Sequence, residues 1–123
     1  MSEILDRLQM AALRLSQDGP LKDRLADAYA SYLLGLDVHD LPAELRAEMD
    51  QLNAAMHREI PQPRESVIRA SVRKMSSQEV GQLAGMVVLM FTSVVRAELA
   101  HAPVPRPARV PSSAPVVQLF AEA

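Results

Sequence analysis

The apolar residues of this 123-residue chain recur at helical spacing, and Gly or Pro lies in or beside most of the short segments that separate the repeats. The clearest repeat begins at Leu21 and Leu25 and continues through Tyr29 and Leu33, which places one apolar face along a helix. Gly favours the conformation that ends a helix, and Pro opens or blocks one, so these segments mark helix boundaries. The pattern predicts helices over residues 2–17, 20–36, 42–60, 64–75 and 76–101.

The fourth of these segments allows two interpretations. A helix gathers five apolar or small residues on one face: Val67, Ile68, Ser71, Val72 and Met75. A strand would bring together only Ile68, Ala70 and Val72. We therefore predict a helix, in which Glu65 and Arg69 lie one turn apart and form an ion pair. At the start of the fifth helix, Ser76 and Glu79 have the spacing of a reciprocal capping box.

The chain is long enough for one domain. We predict an all-α fold, a compact bundle of four to five helices over residues 1–101. Five prolines between residues 103 and 115 exclude regular helix or sheet and predict an extended, Pro-rich C-terminal tail over residues 102–123.

The fifth helix carries no charge over the sixteen positions from Val80 to Val95. A bilayer core requires roughly 20 apolar residues, so we predict no membrane span. A helix that is apolar on all sides needs cover, either as the centre of the bundle or shared with a second chain. Glycines four residues apart allow helices to approach closely. A homodimer is therefore predicted, with an interface at Gly81, Gly85, Val88 and Met90.

Composition excludes several classes of protein. The chain has no cysteine, which rules out disulfides and thiolate metal sites. Its first turn carries Glu3 and Asp6 instead of the basic residues of a signal peptide, so a cytoplasmic location is predicted. The net charge of −2 gives no general attraction to nucleic acid or to anionic membranes.

No catalytic motif is visible in the sequence. The serines lie outside any nucleophile elbow, and no Gly-rich loop resembles a phosphate cradle. Asp37, His39 and Asp40 are potential metal ligands within four residues, but a solvated turn explains them equally well. We expect no catalytic residue, no metal and no cofactor, and we predict that the protein is not an enzyme.

One short region is basic within an acidic protein. Residues 1–57 hold five basic and ten acidic side chains, whereas residues 58–74 hold five basic and two acidic ones. We name Arg64, Arg69, Arg73 and Lys74 the basic stretch and predict that it binds a partner. The partner could be an acidic protein surface or nucleic acid, and a merely solvated helix face is the third interpretation.

The C-terminal tail ends in an apolar cluster, which is unusual for a solvated segment. We name its residues Val116, Val117, Leu119 and Phe120 the apolar tip. Two interpretations stay open: the tip folds back onto a groove of its own bundle, or it is a tethered peptide that docks on another protein. Together these features predict a non-enzymatic adaptor or regulatory protein that binds an unidentified protein through the basic stretch and the tip. The alternative is a nucleic-acid-associated regulator using the Arg64–Lys74 face.

Overall fold

A computed structural model describes residues 3–101 of the protein, and the regular structure of these residues is entirely helical. The five α-helices are α1 (Glu3–Leu15), α2 (Leu21–Ala28), α3 (Arg46–Met56), α4 (Val67–Lys74) and α5 (Ser77–His101). A π turn, Tyr29–Leu33, continues α2, and two short 3₁₀ turns, Val38–Asp40 and Ala43–Leu45, lead into α3. The all-α prediction is confirmed. The predicted tail lies outside the described residues.

The fourth segment is a helix, as predicted, but it begins at Val67 and not at Arg64. The side chain of Ser66 caps it by accepting a hydrogen bond of 3.0 Å from the amide of Arg69. Arg64 lies in a turn before this cap, with a φ angle of 65°. That left-handed conformation costs a non-glycine residue roughly 1–2 kcal/mol, which is incompatible with a helix continuing through it.

The capping box predicted for α5 is only half formed. Ser76 Oγ accepts a hydrogen bond from the Glu79 amide at 3.1 Å, as expected. The Glu79 carboxylate does not reach back to Ser76, because both of its oxygens accept from the Arg58 guanidinium at 2.9 Å. This pairing lowers the pKa of Glu79. The long-range ion pair has replaced the local contact that the spacing suggested.

The core forms where α1, α2 and α3 pack against one face of α5, while α4 packs on α2 and α3. A buried tyrosine ties the second helical segment to α3. Tyr29 is fully enclosed, its hydroxyl donates to Asn53 Oδ1 at 2.5 Å, and burial raises its pKa to about 12. Its ring meets the His57 ring edge-on, with ring centres 5.8 Å apart.

The two sides of α5 have opposite surroundings. The inner face is buried and consists of Val80, Leu83, Val87, Met90 and Val94. The outer face is exposed and carries Gly81, Gly85, Val88 and Leu89. The prediction of a core helix is therefore correct for one face only. Helices of 13, 8 and 11 residues cover one side of a 25-residue helix but cannot enclose it.

Substituting Val87 with Asp should unfold the protein, because this side chain is 0 % exposed and the other buried residues of α5 are apolar. An unpaired buried charge costs several kcal/mol against a total stability of about 5–15 kcal/mol. Leu89→Asp is the matched control, since Leu89 is 67 % exposed on the same helix. Thermal melting followed by far-UV circular dichroism distinguishes them. Equal melting temperatures for the two variants would contradict this assignment of the core.

Candidate protein-binding groove between α3 and α5

A groove runs along the surface where α3 and the turn before it lie antiparallel to α5. Three open cavities follow one another along it, with volumes of about 440, 370 and 440 Å³. The first lies between Leu41–Glu44 and Val94–Glu98, the second between Leu45–Glu48 and Gly81–Ser93, and the third between Gln51–Arg58 and Glu79–Met86. Neighbouring residues line adjacent cavities, so we treat them as one feature, the α3–α5 groove.

The middle of the α3–α5 groove is apolar. Leu45 and Met90 are buried beneath it, Met86 is half-buried, and Leu89 stands exposed at its edge. Gly81 and Gly85 open it further, because a Cβ atom added to either glycine would meet no atom within 4 Å. A glycine inside a helix costs about 1 kcal/mol relative to alanine. Among residues 3–101, no side chain fills the space beside these two glycines.

The two ends of the α3–α5 groove differ in charge. The end near the last turns of α5 is lined by Asp40, Glu44 and Glu98, which we name the acidic mouth. Glu48 adds a further carboxylate beside the middle cavity. At the opposite end the Arg58–Glu79 ion pair joins the two walls. The resulting surface is apolar along its middle and negative at its open end.

Two of the four residues of the basic stretch form ion pairs with carboxylates of the same chain. Arg69 contacts Asp23 at 3.2 Å and Asp27 at 2.5 Å, and Asp27 is shared with Arg14 at 2.7 Å. Arg73 donates two hydrogen bonds to the carboxylate of Glu65, at 2.7 and 3.0 Å. The predicted Glu65–Arg69 pair is therefore wrong, because Glu65 precedes α4 and is not one helical turn from Arg69. Arg64 and Lys74 are exposed.

The predicted dimer residues do not share one face. Gly81 and Gly85 are exposed, and Val88 is 43 % exposed beside them. Met90 is 1 % exposed and belongs to the core, so its inclusion in the interface is corrected. Val88 and Met90 are two residues apart and therefore point to opposite sides of a helix. Whether the protein dimerises through the other three residues stays a prediction.

Two predicted features remain: the apolar tip and the possible metal ligands of the Asp37–Asp40 turn. The apolar tip, Val116, Val117, Leu119 and Phe120, lies outside the described residues. Asp37 caps a 3₁₀ turn by accepting from the His39 amide at 2.9 Å, and this bond lowers the pKa of Asp37. Among residues 3–101, no three His, Asp or Glu side chains are arranged to hold a metal ion.

The exposed apolar surface of α5 raises the question of whether this helix could span a membrane. By length and composition alone, the segment Ser77–Ala100 is long and apolar enough to span a membrane. A single helix of this kind is weak support for a membrane protein, since the core helix of a soluble protein meets the same criteria. Here its inner face packs against three helices.

Sequence reasoning missed the α3–α5 groove, although two signals pointed toward it. Leu45, Met49, Leu52 and Met56 follow one another at spacings of 4, 3 and 4, which is typical of a helix that packs along one partner helix. Small residues occur on both walls: Gly81 and Gly85 on α5, and Ala54 and Ala55 on α3. Because these residues are small, few side chains of α3 and α5 interlock at the surface, and a groove remains between the two helices. The sequence alone did not show that α3 and α5 are neighbours.

Alanine substitution of Gly81 and Gly85 should stabilise the folded monomer. Each added methyl group enters open space and removes the helix penalty of glycine, a gain of about 1 kcal/mol per site. Chemical denaturation measures this change.

If the glycines form part of the predicted homodimer interface, the bulkier Gly85→Leu should lower the mass found by sedimentation at high micromolar concentration. A wild-type protein that sediments as a 13.5 kDa monomer would contradict the dimer.

Acid should destabilise the protein through Glu65. The Arg73 guanidinium and the backbone amide of Gln62 hold the pKa of Glu65 at about 2, below its ordinary value of 4.5. A pKa that is lowered on folding stabilises the protein above pH 4.5, and this contribution is lost as the pH falls toward 2. Glu65→Gln should therefore flatten the dependence of melting temperature on pH in this window. Asp50→Asn, on the exposed side of α3, is the control; an equal effect would contradict the assignment.

Comparisons of the chain with protein-family models, with curated proteins and with solved structures found no match. Its function therefore has to be inferred from the α3–α5 groove and the charges around it.

Proposed function

We propose that this protein is a small, non-enzymatic adaptor or regulatory protein that acts by binding another protein. The observation that carries the proposal is the α3–α5 groove, an open surface depression with an apolar middle. Exposed apolar surface rimmed by polar groups is the usual property of protein-interaction sites. Leu89, a large apolar side chain left 67 % exposed at the edge of the groove, is the kind of contact that binding would bury.

The groove also supports a specific chemistry for the partner. A segment that fits it needs apolar side chains for the middle cavity, near Leu45 and Leu89. It needs Lys or Arg beside them, because the acidic mouth and Glu48 line the rim. Complementary charge of this kind fixes the direction of the bound segment and accelerates association. The proposed partner therefore presents an apolar segment flanked by basic residues.

The charge distribution favours this function over nucleic-acid binding. Affinity for nucleic acid comes largely from Lys and Arg side chains that neutralise phosphates. Arg69 and Arg73 are already paired with carboxylates of the same chain. A phosphate would have to displace those carboxylates to bind these two arginines. The basic stretch retains only Arg64 and Lys74 as exposed cations outside these pairs.

Binding of an apolar partner also fits α5 better than membrane insertion does. Spanning a bilayer would require the inner face of α5, from Val80 to Val94, to leave the core of the bundle. Lying on a membrane surface would place Glu48 and the acidic mouth against lipid headgroups. Negatively charged membranes attract Lys and Arg and repel these carboxylates.

Capture experiments with the full chain test the proposal. Leu89→Asp places a charge in the groove, and Ile60→Asp is the matched control, since Ile60 is 89 % exposed in the segment between α3 and α4. We expect the wild type and Ile60→Asp to retain the same proteins from a lysate of the source cell, and Leu89→Asp to lose them. Retention of those proteins by Leu89→Asp overturns the proposal. So does flotation of the wild type with lipid vesicles that Leu89→Asp abolishes, which assigns the surface to membranes.

A further inference from the structure

We propose that the α3–α5 groove has a built-in occupant, the apolar tip of the same chain. In the absence of a partner, Leu119 and Phe120 fill the apolar middle of the groove while the segment before them crosses the acidic mouth. This inference rests on the proposed function, because the tip would occupy the surface that the partner protein uses. The protein would then be self-inhibited until a partner displaces its tail.

The sequence of the tail matches the chemistry of the groove. Arg106 and Arg109 come first, and the apolar tip follows them. No acidic residue interrupts the chain between Glu98 and Glu122. Along the groove the order is the same: the acidic mouth lies beside the last turns of α5, close to where the tail begins, and the apolar middle lies farther along the helix. A tail that turns back at the end of α5 meets a carboxylate cluster with its arginines and an apolar cavity with its tip.

The connecting segment is long enough for this path. Gly81, at the far side of the middle cavity, lies twenty residues before the end of α5. At 1.5 Å per helical residue the distance is about 30 Å. The fourteen residues from 102 to 115 extend to about 43 Å, since a Pro-rich segment rises about 3.1 Å per residue. The tip therefore reaches any point of the middle cavity without strain.

Tethering favours the same chain over a second copy as the occupant. A segment linked to its site by a short connection has an effective concentration in the millimolar range. A separate chain at micromolar concentration is roughly a thousandfold more dilute and is outcompeted for the same contacts. The prolines lower the entropy lost on docking, because they restrict the free segment to extended conformations.

The absence of cysteine allows a direct test on the full chain. Ala121→Cys provides a single attachment point for a nitroxide spin label beside the tip. Of the four glycines, Gly81 and Gly85 line the groove, whereas Gly19 and Gly35 lie in turns outside it. We expect the label to broaden the amide signals of Gly81 and Gly85 most strongly and that of Gly19 least, equally at two protein concentrations. The matched control carries the same label with Leu119→Asp and Phe120→Asp, and should lose the difference between the glycines.

Each alternative gives a distinct result. Equal broadening at all four glycines, or broadening that survives the control substitutions, overturns the proposal. Broadening that appears only when spin-labelled chains are mixed with unlabelled, isotope-enriched ones also overturns it, and assigns the tip to a second copy. If Leu89→Asp abolishes partner capture but the tip causes no selective broadening, the proposed function stands and this inference alone fails. If the inference is correct, Leu119→Asp/Phe120→Asp should increase partner capture, because the groove is no longer occupied.

Discussion

The inner face of α5 is the surface on which the other helices assemble: α1, α2 and α3 contact it directly, and α4 packs on α2 and α3. Because Val87, Met90 and their neighbours are inaccessible to water, the position of every other helix depends on this strip. The surrounding helices are short and cover one side of it. Among residues 3–101, the exposed outer face and the α3–α5 groove arise because a long apolar helix has too few neighbouring helices.

Ion pairing within the chain decides which charges remain for a partner. Asp27 accepts from both Arg14 and Arg69 and so links α1, α2 and α4. Glu65 holds Arg73, and Glu79 holds Arg58. These pairs use the basic residues that are most noticeable in the sequence. Outside these pairs, the charged side chains that line the groove are the acidic mouth and Glu48, so the partner chemistry proposed for it is the reverse of what the basic stretch alone suggested.

Features that depend on neighbouring residues could be read from the sequence. The five helices follow from apolar spacing, and the Ser76 cap follows from the residues at α5's first turn. Features that depend on distant residues could not. The pairing of Glu79 with Arg58 spans 21 residues, and that of Arg69 with Asp27 spans 42. Both override local expectations that were reasonable for isolated helices.

The candidate site likewise combines features that depend on neighbouring residues with features that depend on distant ones. The sequence predicted an interface that includes Gly81, Gly85 and Val88, because small residues four apart are a local pattern, and the structure shows only that these three are exposed. The sequence could not separate Val88 from Met90, since both are apolar and only the packing of other helices distinguishes their faces. The groove itself joins residues more than thirty positions apart, from Leu45 on one wall to Leu89 on the other. No local pattern records that the two walls are adjacent.

The π turn after α2 accommodates one more residue than the α-helix that it continues. In it the Leu34 amide donates to the Tyr29 carbonyl at 2.8 Å, a bond that encloses one residue more than an α-helical turn does. The extra residue lies on the solvent side, where Ala30 and Ser31 are exposed, while Tyr29 and Leu33 remain in the core. The turn therefore holds one more residue than an α-helical turn while both of these side chains stay buried. Because the extra residue faces solvent, this turn is a point at which the length of the segment can change without exposing the core.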